Sequence, residues 1–120
     1  MIDHVKVGVS DLEAAKEYYS RALAPLGYAV AFEAEGMAYF ADAKGLDFGV
    51  GVSDRPGSSH VGFTTTEAAL VDAFHEAAIA AGGTDNGPPG LRPEYAPDYY
   101  AAYVLDPDGN NIEALCHRDA

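Results

Sequence analysis

"IDHVKV" (residues 2–7) and "SSHVGF" (residues 58–63) each place a His-Val pair at the head of an apolar-alternating run, and this recurrence decides how the chain is read. His60 stands 56 residues after His4, and the same spacing pairs Val5 with Val61, Ala15 with Val71, Tyr18 with Phe74, Ala22 with Ala78, Leu23 with Ile79 and Gly27 with Gly83. Strand, helix and helix stop therefore repeat. Further along, the spacing becomes 64, pairing Ala38 with Ala102, Tyr39 with Tyr103, Asp42 with Asp106, Gly45 with Gly109 and Phe48 with Ile112. The second half is longer by the difference, and the turn-rich "GGTDNGPPGLRPEYAPDYY" (residues 82–100) is where the extra residues belong.

Each half reads as β-α-β-β-β. "HVKVGV" (residues 4–9) alternates, with Val5, Val7 and Val9 on one side of a strand and His4, Lys6 and Gly8 on the other. Ser10 followed by Glu13 reads as a capping box. "DLEAAKEYYSRALAPLGY" then carries Ala15, Tyr18, Ala22 and Leu26 at helical spacing before Gly27 ends the run. "YAVAFEA", "MAYFAD" and "LDFGVGV" are strand candidates, with Gly36 and "DAKG" supplying turns. The expectation is a single α+β domain over residues 1–120, made of two units at about 1–52 and 58–118. Neither unit can bury both sheet faces alone, so the strands should curve into an incomplete barrel-like cup with the helices outside.

Composition restricts what such a domain can do. The chain has 120 residues, 48% of them hydrophobic, enough for one domain with a real core, and no apolar stretch long enough to span a bilayer. Seven basic against 19 acidic residues give a net charge of −12, a field that repels nucleic acid and anionic lipid. With no leader-like start and the lone Cys116, the default compartment is a reducing cytoplasm.

Chemistry is carried by the equipped strand faces. His4 and His60 occupy equivalent places, and Glu113 in "GNNIEALCH" points opposite to its apolar neighbours Ile112 and Ala114. Two imidazoles and a carboxylate on different strands form a ligand set for a divalent metal; alternatively they line a polar cup and hydrogen-bond there. Ligand type alone leaves iron, manganese, nickel, cobalt and zinc open. Gly49 stands where a symmetric site would have a fourth side chain. Lys6 and Asp47 share the cup face, while Arg92, Tyr95, Tyr99 and Tyr100 sit on or beside the inserted segment and suit a substrate wall. His117 is too far along the last strand for the same coordination shell, His75 lies on the second helix, Cys116 reads as a small buried hydrophobe, and "DPDG" as a turn. No catalytic acid or base is singled out.

"HVKVGVSDLEAAKEYY", "HVGF" and "DPDGNNIEAL" resemble the vicinal oxygen chelate superfamily, which includes glyoxalases, extradiol dioxygenases, epimerases and the bleomycin- and fosfomycin-resistance proteins. The resemblance covers nearly the whole chain. It implies metal ligands at His4, His60 and Glu113, and a metal-dependent enzyme acting on a small oxygen-bearing substrate by dioxygenase, lyase or isomerase chemistry. The alternative it offers is antibiotic-like sequestration without turnover. It also implies a homodimer. Glyoxalase-like members often carry a further acidic ligand at the position of Gly49, so the glycine here fits a dioxygenase-like triad better.

Overall fold

A computed structural model describes residues 1–118. Eleven elements follow one another: β1 (Val5–Val9), α1 (Leu12–Ala22), a short 3-10 turn (Ala24–Leu26), β2 (Ala29–Ala34), β3 (Met37–Asp42), β4 (Gly45–Val52), β5 (His60–Thr64), α2 (Ala68–Ala80), β6 (Thr84–Leu91), β7 (Tyr99–Leu105) and β8 (Asn111–His117). They form two four-stranded sheets, ordered β1-β4-β3-β2 and β5-β8-β7-β6. Each unit thus has one parallel pair, made across its helix, and two antiparallel pairs. The result is an α+β fold of paired βαβββ units, cup-like and open rather than a closed barrel. Among the described residues no helix is long and apolar enough to cross a membrane.

Alternation places each sheet. Val7, Val9, Phe40, Phe48 and Val50 are buried on the helix side of the first; Phe63, Val104, Ile112, Ala114 and Cys116 are buried on the helix side of the second. The helices touch one another, and Phe63 meets Phe48 and Tyr28 edge-on at ring-centroid distances of 5.0 and 5.3 Å. The helix sides of both sheets therefore share one continuous core. His4, His60 and Glu113 belong to the opposite faces, away from it.

A polar knot joins the units. Asp106, in the β7–β8 turn, accepts from the Tyr19 hydroxyl (2.5 Å), the Asn110 amide Nδ2 (2.8 Å) and the backbone N–H groups of Asp108 (2.9 Å) and Asn110 (2.8 Å). Asn110 Nδ2 also donates to the Gly8 carbonyl at 3.0 Å. Asp106 and Asn110 are buried, and with these bonds the carboxylate keeps no unmet acceptor site.

Three local readings are revised. The N-cap of α1 is Asp11, whose side chain accepts from the Ala14 N–H at 3.1 Å, while the Ser10 N–H is taken by Asp108; the Ser10 capping box does not form. The segment "TDNGPPGL" reads as turns because of its glycines and prolines, yet it is the edge strand β6, with irregular pairing between Asp85 and Gly90. Proline is tolerated there because an edge strand leaves half its N–H groups without a ladder partner. The first helical run is shorter than expected: α1 ends at Ala22 with Leu23 as its C-cap, and Gly27, at φ 89° in the left-handed region that a glycine enters without strain, caps the 3-10 turn that follows.

Candidate functional site

In the second unit, β5 runs parallel to β8 with Gly62 opposite Glu113, and β7 brings Tyr103 opposite Glu113 from the other side. A Cβ built at Gly62 would lie 3.5 Å from Glu113 Oε1, an ordinary contact, so the carboxylate sits directly beside this position. His60 Nε2 lies 3.0 Å from Glu113 Oε1, and the Tyr99 hydroxyl donates a short hydrogen bond to Glu113 Oε2. Both carboxylate oxygens are engaged. Glu113 is buried, whereas the His60 side chain is 54% exposed, so the pair runs from the sheet floor to solvent.

Around this pair opens a cavity of about 320 Å³ lined by His60, Tyr95, Tyr99, Tyr103 and Glu113. Burial, reinforced by the hydrogen bond to Glu113 and its charge, pushes the Tyr99 phenol well above its ordinary value. Burial and the same charge push Tyr103 up to about 12. Both phenols thus stay protonated at neutral pH beside an anion, as hydrogen-bond donors should.

The connection between β6 and β7, residues 92–98, builds the rim. Its backbone is tied by Arg92 N–H to Tyr99 O (2.7 Å), Tyr95 N–H to Arg92 O (3.0 Å) and Arg118 N–H to Asp98 O (2.7 Å), while His117 pairs with Asp98 at 3.1 Å. Tyr95 is held edge-on to Tyr99 at 5.2 Å and remains exposed. The Arg92 guanidinium sits over the Tyr103 ring at 5.4 Å. It donates to the carbonyls of Pro88 (2.7 Å) and Leu91 (3.4 Å).

The first unit presents a different surface. His4 lies just before β1, half-exposed, with Nδ1 2.8 Å from Asp3 and its ring edge-on to Tyr39 at 5.6 Å. Tyr39 covers Gly49 so closely that a Cβ added there would lie 2.5 Å from the ring, which explains structurally why no fourth ligand stands at that position. Lys6 lays its stem over Gly51 on this face. Asp47 is turned to a cleft of about 440 Å³ between the units, which His60 also lines, and there it accepts from the Tyr28 hydroxyl at 3.2 Å.

Of the three metal-ligand candidates, His60 and Glu113 come together and His4 does not join them within one chain. Among the described residues no group of three or more His, Cys, Asp or Glu side chains is placed to hold a metal ion. The physical reason is that the units join through their helix sides, so the histidine-bearing faces do not converge. Tyr100 is a correction. It alternates away from Tyr99 and donates to Asp72 of α2 at 2.6 Å, tethering helix to sheet rather than lining the pocket. Tyr103 was not singled out from sequence, although the 64-residue spacing that pairs it with Tyr39 gives it the parity of Glu113. His75 pairs with Asp85 at 2.9 Å, outside the site.

The duplicated βαβββ fold thus places an imidazole and a buried carboxylate together on the open face of one sheet. The chain belongs to the Glyoxalase/Bleomycin resistance protein/Dioxygenase superfamily, whose family model matches residues 1–114. It is similar to a glyoxalase/bleomycin resistance protein from Albidiferax ferrireducens T118, with 36% identity, TM-score 0.84, and 97% of this chain and 98% of that one covered. A glyoxalase-related enzyme from Fulvimarina pelagi shares the fold at 22% identity, TM-score 0.75, covering 97% and 87% of the two chains. A glyoxalase/bleomycin resistance protein/dioxygenase family enzyme from Burkholderia phytofirmans PsJN does so at 18% identity, TM-score 0.75, covering 96% and 97%. A search of curated proteins found no match.

Proposed function

We propose that this chain is a metal-dependent enzyme of the vicinal oxygen chelate type, acting on a small oxygen-bearing molecule in the His60–Glu113 pocket. The observation that carries the reading is the contact between an exposed imidazole and a buried carboxylate on the floor of a cavity of small-molecule size. Nitrogen and oxygen donors of this kind suit iron, manganese, nickel, cobalt or zinc. His60 and Glu113 fit such an ion as two adjacent ligands. The third ligand in this reading is His4 of the partner subunit in a homodimer, for two reasons: the units of one chain do not bring His4 to the pair, and Asp3 engages only Nδ1 of that imidazole. A bound ion supplies Lewis-acid polarisation of substrate oxygens.

The chain's own residues do the rest. Tyr99 fixes the rotamer of Glu113 through its hydroxyl, as outer partners of ligating carboxylates do. Tyr95 and Tyr103 wall the substrate and displace water from it. The reaction falls within dioxygenase, lyase or isomerase chemistry, and a reducing cytoplasm is the expected setting. A second reading, sequestration of a small molecule without turnover, draws on the tyrosine-lined cavity and on a Glu113 whose oxygens are both satisfied without a metal.

Elemental analysis of the purified protein tests the proposal. The wild type should keep a divalent metal through dialysis, and His60→Ala and Glu113→Gln should lose it. A chelated protein that still binds its ligand, with no metal in the untreated sample, supports sequestration instead.

A further inference from the structure

We propose that Asn86 is a self-modifying site: in the folded chain the Gly87 nitrogen attacks the Asn86 carboxamide, Asp85 takes the proton, and β6 ends with aspartate or isoaspartate at this position. The sequence "DNG" (residues 85–87) sets an asparagine before a glycine, whose missing side chain leaves the attacking nitrogen open. The fold requires that glycine, because a Cβ at position 87 would lie 2.8 Å from the Tyr103 ring. Packing on β7 therefore keeps the reactive neighbour in place.

The backbone around Asn86 is loosened in the same place. Pairing passes from Asp85 opposite Val104 to Gly87 opposite Tyr103, so Asn86 falls out of the register, and β6 is the edge strand of its sheet. The Asn86 side chain is exposed. A bulged edge residue can turn its carboxamide toward the following nitrogen without breaking a ladder. The two other asparagines are held differently. Asn110 is buried with its Nδ2 bonded to Gly8 O and Asp106, and Asn111 precedes the β-branched Ile112, which shields the next nitrogen. The chain has no glutamine, so the Asn86 side chain is its one exposed amide next to a glycine.

A proton acceptor already stands on the nitrogen. The Gly87 N–H donates to Asp85 Oδ1 at 3.1 Å, and His75 Nε2 lies 2.9 Å from the same oxygen. These contacts, the histidine's first, hold the Asp85 carboxyl below its ordinary value, so it is ionised at neutral pH. His75 belongs to α2 and its side chain is only 18% exposed, so the carboxylate is anchored from a separate element. In the step itself the Gly87 N to Asn86 Cγ bond forms while Asp85 accepts the N–H proton. The Cγ–Nδ2 bond then breaks, and Nδ2 leaves as ammonia with that proton. Water opens the resulting succinimide at either carbonyl. Opening at one gives aspartate; opening at the other gives isoaspartate, whose extra backbone carbon enters β6 beside Tyr103, a wall of the pocket.

Mass spectrometry of the full-length protein, with fragment mapping, tests the proposal on samples incubated at neutral pH with and without urea. The native protein should convert Asn86 about tenfold faster than the unfolded chain, since only the fold positions a proton acceptor. Asp85→Ala should bring the native rate down to or below the unfolded rate. Asp85→Ser, which keeps a neutral acceptor for the Gly87 N–H, should do the same, with circular dichroism showing that the variants fold. Asn110 and Asn111 should stay intact in the native protein, and Asn86→Ser should abolish the mass shift. A native rate no faster than the rate in urea, or one unchanged in both Asp85 variants, overturns the proposal.

Discussion

Replacing Asp106 by alanine should cost more stability than any surface change in the chain. The carboxylate collects four donors, two from backbone N–H groups and two from the buried side chains of Tyr19 and Asn110. Removing it strands both side-chain donors in the core, at about 1–3 kcal/mol each. The part-buried Asp108 N–H adds less, and the buried Asn110 N–H adds a further share. The expected loss is therefore about 3–6 kcal/mol, a large share of the roughly 5–15 kcal/mol available to a domain. Tyr19→Phe removes one donor and leaves one carboxylate oxygen partly unmet, for about 1.5–3 kcal/mol. In the double variant the two losses should not add, because both remove the same bond. Urea unfolding monitored by circular dichroism reads all three. A loss below about 1 kcal/mol for Asp106→Ala, or full additivity with Tyr19→Phe, would refute the idea that this knot joins the units.

Further outcomes follow from the site and its surroundings. Gly49→Ala should destabilise by about 1–3 kcal/mol through contact with the Tyr39 ring, and Tyr39→Ala in the same chain should recover most of it; equal losses in both backgrounds would mean that the ring moves freely. Burial, with the charge of Asp106 added, raises Tyr18 and Tyr19, and burial with the Glu113 bond raises Tyr99. The unfolded chain ionises its tyrosines first, so this stabilisation is complete below the ordinary value of 10.0 and lost as pH rises above it. Ultraviolet difference absorbance should show these phenols ionising together with unfolding, and ionisation near pH 10 in a folded chain would contradict the burial. The hydrogen bond from His117 holds the Asp98 carboxyl below its ordinary 3.8, so its contribution is present above that pH and fades as pH falls below it. Hydrogen-exchange protection at residues 92–98, relative to the intrinsic rate at each pH, should fall in acid and in Asp98→Asn; unchanged protection would show that the backbone bonds alone hold the rim.

Much of the fold was legible because it is written twice. A spacing of 56 and then 64 residues located both units, and period-two alternation assigned Val5, Val7 and Val9 to one face and Glu113 to the other. What escaped were features that depend on contacts between distant segments. Proline and glycine in "TDNGPPGL" mark turns locally, and only pairing with β7 makes them an edge strand. Asp106 reads as a turn acid until Tyr19, 87 residues away, buries it. Tyr99 and Tyr100 are neighbours in sequence on opposite faces, and alternation from Glu113 through the β7–β8 register separates them. The convergence of His4 with His60 was inferred from internal symmetry. Symmetry fixes equivalent places in two units, but it does not fix which units face each other.

The facing of units is what a metal count on a mixed dimer measures. His4→Ala and His60→Ala chains, co-expressed with different affinity tags and purified as the heterodimer, pair one intact His4 with one intact His60–Glu113 set across the interface. This heterodimer should hold about half the metal of the wild type while either variant alone holds almost none. A heterodimer as empty as its parents would contradict a shared site, and full occupancy in His4→Ala alone would remove His4 from it.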